Sequence, residues 1–75
     1  MTIELPDLSE RDVHMFCETL IGFPAERRME GITRCHAALQ GGFISARKFA
    51  RAVESDLDTI ADHFEALGFE RPYQL

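Results

Sequence analysis

Tryptophan is absent from this chain of 75 residues, tyrosine occurs once, and lysine occurs once against seven arginines. No run of eighteen apolar residues is present, so no segment reads as a membrane-spanning helix. The low-hydrophobicity, high-charge composition of disordered chains is also missing: 45% of residues are apolar and 28% charged, as in ordinary globular domains. Met1 to Asp7 lack the basic and apolar regions of a secretory signal, which leads us to expect a cytoplasmic protein. With only Cys17 and Cys35 there is no disulfide framework, and both are expected as free thiols in a reducing compartment. Bases are scarce as well. Eight against thirteen acids give a formal charge of -5, which disfavours a phosphate-binding surface and hence a nucleic-acid partner.

Size sets a further condition. A chain this short buries only roughly 60% of the surface its unfolded form exposes, so disulfides, a metal or a second subunit often supplement its core. No repeat or low-complexity tract divides it, and residues 1–75 read as one domain.

Punctuation falls at Pro6, Gly22-Phe23-Pro24, Gly41-Gly42, Gly68 and Pro72, and the intervening stretches have helical periodicity. The expected fold is all-α, a compact bundle of three main helices at about 10–21, 25–40 and 44–67. Ser9 with Asp12 makes a capping box at the first start, and Leu8 with Val13 occupies the positions of a hydrophobic staple. Val13, Phe16, Cys17, Leu20 and Ile21 form one apolar face. Gly22 supplies the left-handed terminator and Phe23 the apolar contact beyond it. The second helix is expected to start with Pro24 at its first position and to bury Met29, Ile32, Cys35, His36 and Leu39. Gly31, in its middle, reads as a point of close approach to a neighbouring helix.

From Phe43 to Leu67 the apolar positions stay in helical phase, which favours one continuous helix. Charge placement favours a kink or break near Ser55. Arg47, Lys48 and Arg51 come early and Asp58, Asp62 and Glu65 late, an order that opposes the dipole of a single helix. Residues 1–8 read as an extended segment packed through Ile3 and Leu5, and 69–75 as a tail folding back through Tyr73. A continuous third helix would run about 36 Å at 1.5 Å per residue, beyond the cover of its shorter partners. Phe49, Val53, Leu57, Ile60, Phe64 and Leu67 would then offer an apolar contact for self-association, most simply as a two-fold homodimer.

Catalytic and metal chemistry find little support. His14, His36 and His63 with the two cysteines lack the paired spacing of zinc ligands. A Cys17–Cys35 disulfide fails on helix-hairpin geometry. His14 lies within reach of Cys17, but no residue pattern supplies an oxyanion hole, and no phosphate loop or paired-carboxylate motif is present. No enzyme activity, cofactor or metal is expected. A DNA-binding helix-turn-helix, made by breaking at Ser55 into Ala46–Val53 and Asp56–Leu67, is the alternative. Its second helix carries acids and no Lys or Arg.

Glu54, Asp58, Asp62 and Glu65 fall at i, i+4, i+8 and i+11, so they line one acidic ridge. Arg27, Arg28 and Arg34 make a smaller patch of opposite sign. The reading is a small acidic protein-binding module, self-associating, acting as a stand-alone inhibitor or adaptor on a partner's basic surface. Phage anti-defence proteins, anti-CRISPR proteins among them, share this size and acidity, a likeness of format that rests on no motif.

Overall fold

In the computed structural model, which describes residues 9–74, the first helix, α1 (Glu10–Leu20), begins on the capping box expected from the sequence. Asp12 donates its backbone N–H to Ser9 Oγ at 3.3 Å, and Ser9 donates its own to the Asp12 carboxylate at 3.0 Å. The staple position Leu8 and the segment with Ile3 and Leu5 lie outside the described residues. At the other end Gly22 takes φ 108°. Phe23 N–H reaches back to Glu18 O at 3.0 Å and Gly22 N–H to Thr19 O at 3.2 Å, the two bonds of a Schellman terminator.

Helix α2 spans Met29–Gln40, so its first turn is not where Pro24 suggests. Residues 25–28 form a separate turn, closed by Arg28 N–H on Ala25 O at 2.8 Å. A tertiary contact holds that turn. The Arg28 guanidinium donates to Glu18 on α1 at 2.8 Å and to Pro24 O at 2.6 Å, and it lies 5.0 Å from the centre of the Phe23 ring. Gly42, at φ 75°, ends α2 by the same device as α1, with Phe43 N–H on Ala38 O at 2.9 Å.

The expected third helix is two helices, α3 (Ala46–Val53) and α4 (Leu57–Ala66), so the described residues form a compact all-α bundle of four helices. Glu54 sits between them at φ 55° and ψ 46°. There Ser55 N–H bonds to Ala50 O at 3.0 Å and Glu54 N–H to Arg51 O at 3.2 Å. This is again a Schellman-type stop, but with a glutamate where the others have glycine. The restart is capped by Asp56, whose carboxylate accepts Thr59 N–H at 2.7 Å. Ser45 caps α3 on Lys48 N–H at 3.0 Å. The dipole argument therefore outweighs the unbroken apolar phase. Arg51 now lies in the last turn of α3 and Asp58 in the first turn of α4, each at the favourable end.

Three fully buried phenylalanines, Phe16, Phe49 and Phe64, bring α1, α3 and α4 together. Phe16 stacks on Phe64 with ring centres 4.5 Å apart and meets Phe49 edge-on at 5.3 Å. Ile32 and Cys35 of α2 and Ile60 of α4 complete the core. Gly31 is the predicted close approach: a Cβ there would lie 2.6 Å from Met15 Sδ and 3.2 Å from the Asp12 Cα.

The break removes the premise for an exposed stripe. Folding back at Glu54 turns Phe49 and Val53 on α3, and Ile60 and Phe64 on α4, into one shared interior. Leu57 and Leu67 pack on it half-buried. Of the residues assigned to self-association, Phe49, Val53, Ile60 and Phe64 are thus buried within the chain, while Leu57 and Leu67 stay partly exposed.

Candidate protein-binding surface

Helix α4 turns one face to the core and a carboxylate-bearing face outward. Asp58, Asp62 and Glu65, spaced i, i+4 and i+7, lie along the outer face with side chains 77%, 71% and 49% exposed. Glu54 is not in line with them. The spacing that placed it on the ridge assumes an unbroken helix, and in its left-handed conformation it belongs to the α3 terminus. From there its charge helps to raise the pKa of the Cys17 thiol on α1, where burial is the larger cause. The ridge is therefore three residues long, with Asp56 adding a further carboxylate at the helix start.

Arg71 meets all three. Its guanidinium lies 3.1 Å from Asp62, 3.3 Å from Glu65 and 3.7 Å from Asp58. The tail delivers it there through contacts made by its neighbours. Gly68, at φ 98°, and Phe69 close α4. His36 Nε2 donates to Glu70 O at 2.9 Å, Pro72 is buried, and Tyr73 donates its hydroxyl to Leu57 O at 2.7 Å. Tyr73 was legible as the residue that folds the tail back. Arg71 was not, because its partners are set by the path of that tail and by no short-range pattern. Ion pairs between exposed groups are screened by solvent and hold weakly, so Arg71 holds the ridge loosely and leaves three carboxylates facing one cation.

The other candidate charges divide in two. Arg28 is committed to Glu18, and Arg34 bridges Asp12 at 3.4 Å and Glu30 at 3.2 Å. Of the expected patch on the second helix only Arg27 stays outside these ion pairs among the described residues. On α3, Arg47, Lys48 and Arg51 are exposed.

Each histidine and the Cys35 thiol has a partner within the chain. Thr19 donates its hydroxyl proton to Phe16 O at 2.7 Å, so at 2.9 Å from His63 Nε2 it accepts, which places a proton on that nitrogen. Burial lowers the His63 pKa. His14 reaches Glu18 at 3.4 Å. Burial pushes the Cys35 thiol up to about 12, and Cys35 Sγ lies 3.4 Å from Asp12 O. Both cysteines are free, and among the described residues no three His, Cys, Asp or Glu side chains converge as metal ligands. Nor is any described helix long and apolar enough to cross a membrane.

Compared with known proteins, the chain matches no family model, and neither a curated protein nor a solved structure gives a match.

Proposed function

We propose that this chain is a protein-binding module without catalysis, and that the outer face of α4 docks a basic surface of its partner. The observation that carries this reading is the solvent-facing line of Asp58, Asp62 and Glu65, held by a single displaceable arginine. A partner bearing several arginines or lysines gains on encounter rate from such a face, since complementary charge steers association. It then replaces Arg71 at small cost. Burial raises the pKa of both thiols, which disfavours the thiolate that a cysteine nucleophile needs. A reducing compartment, the cytoplasm, fits two free cysteines. In its most concrete form the module is a stand-alone inhibitor or adaptor that occupies a basic groove.

Reversal of charge tests this. The double variant Asp62→Lys, Glu65→Lys changes two exposed positions and is expected to keep the helical circular dichroism of the parent. Tagged parent and variant are used as bait in nuclease-treated source lysate. A basic protein recovered stoichiometrically by the parent and lost by the variant is the expected result; equal recovery by both overturns the reading.

One observation favours a second reading. The break at Glu54 yields the pair of helices that a DNA-binding helix-turn-helix requires, with α4 in the position of the recognition helix. That helix presents three aspartates or glutamates and no Lys or Arg to the phosphates. A salt-dependent mobility shift on duplex DNA would establish this alternative over the first.

A further inference from the structure

Between α3 and the first turn of α4 runs a shallow groove whose two walls carry opposite charge. Arg47 and Arg51, one turn apart on α3, form one wall. Asp56 and Asp58, at the start of α4, form the other, and Ala50 and Leu57 also line the groove. Leu57 is half-buried, and all four charged residues are exposed. Among the described residues neither arginine lies within an ion-pair distance of a carboxylate. Asp58 has only the outermost contact of Arg71, at 3.7 Å.

We infer that this groove is a self-association surface, occupied by the same groove of a second copy with the two-fold axis lying along it. The argument is one of symmetry. A rotation of 180° about an axis along the groove exchanges its walls. The Arg47–Arg51 wall of one copy then faces the Asp56–Asp58 wall of the other, and the pairing occurs twice. An axis across the groove would set like charge on like charge, so the pattern selects one arrangement. A partner of uniform sign meets repulsion at one wall. Nucleic acid meets it at the aspartates, whereas a second copy carries the complementary pattern by construction. Closure also covers Leu57, which adds apolar burial to a chain too short to bury much alone.

Because the contact is made of exposed charges, it is sensitive to salt. Sedimentation equilibrium of the whole chain is expected to give a dimer whose dissociation constant rises at least about tenfold between about 0.1 M and 1 M salt, as the Debye length falls from about 10 Å to about 3 Å. The double variant Arg47→Glu, Arg51→Glu and the single variant Asp58→Arg each place like charge against like charge and are expected to be monomeric. Mixed in equal amounts, the intact Asp56–Asp58 wall of the first again faces the intact Arg47–Arg51 wall of the second, and the two should form a one-to-one heterodimer, weaker than the parent dimer because only one of the two pairings is restored in full. That restoration also shows that both variants are folded. A parent that is monomeric at about 0.1 M salt, a dimer indifferent to salt and to either variant, or a mixture that stays monomeric would each overturn the inference. Asp58 belongs to both surfaces, but sedimentation reads the purified chain with no partner present, and Arg47 and Arg51 lie outside the acidic ridge, so the outcome is separate from that for the partner-binding face.

Discussion

The α1–α2 hairpin and the α3–α4 pair use their charged residues in opposite ways. In the hairpin, Asp12 at once caps α1, is buried, and meets Arg34 of α2. Glu18 holds Arg28, and Gly31 lets the two backbones close on one another. The pair α3–α4 is joined instead by a tight turn and by phenylalanines pointing inward. Its bases and acids stay on the surface. Two short amphipathic elements of one chain can therefore share a core while one consumes its charge in folding and the other displays it. The displayed charge belongs to the half that carries the proposed contacts.

The largest effect expected from this contrast is at the hairpin's closest point. Gly31→Val adds branched volume against the Asp12 backbone, which has no room to withdraw, and should cost about 1–3 kcal/mol as overpacking does. Chemical denaturation measures it, and a loss below about 0.5 kcal/mol would mean the two helices are less tightly apposed than the geometry states.

A smaller effect, of opposite sign, is expected at the turn of the other half. Glu54 bears a left-handed conformation that costs a residue with a Cβ roughly 1–2 kcal/mol, while glycine there loses part of that gain to greater freedom in the unfolded chain. Glu54→Gly should raise stability by up to about 1 kcal/mol, or Tm by about 4 °C or more at the full gain. Unchanged or lower Tm would indicate that the glutamate side chain contributes something the turn geometry does not explain.

The smallest effect concerns the tie between the halves, where His63 of α4 donates to Thr19 of α1. Burial holds the His63 pKa below its ordinary 6.5, so on acidification the unfolded chain takes up that proton first. The contribution is intact above about pH 6.5 and is lost as pH falls from there to the folded value. Glu18, stabilised as a carboxylate by Arg28, and Asp56, stabilised by the Thr59 N–H, lose theirs only at lower pH, below their ordinary 4.5 and 3.8. Thermal melts from pH 7 to pH 5 are expected to show a decline in Tm that His63→Gln reduces; an equal decline in the variant would assign it elsewhere.

Most of what could be read correctly in the sequence is local. The Ser9–Asp12 box and the stops at Gly22, Gly42 and Gly68 involve bonds within five residues, made by residue types suited to them. The closeness at Gly31 was also legible, because a glycine in a helix needs a packing reason. Glu54 was misplaced on the ridge for the converse reason: its neighbours keep helical phase and no glycine marks the stop. Arg71 belongs to the site through a tail whose course is set by His36, Pro72 and Tyr73.

What the sequence determined by itself, then, was an all-α chain, the ends of three of its helices, the apolar residues that form the core and the acids that line α4. Tertiary structure decided that the apolar stripe breaks at Glu54, that α2 starts at Met29 and that Arg71 faces the acidic ridge. The physical reason is the same in each case. A left-handed glutamate, a delayed helix start and an ordered tail are unfavourable or neutral locally. Local bonds and caps permit them, and contacts with distant residues select them: the phenylalanine core closed by the break, the Glu18–Arg28 pair, and the carboxylates and carbonyls that receive the tail.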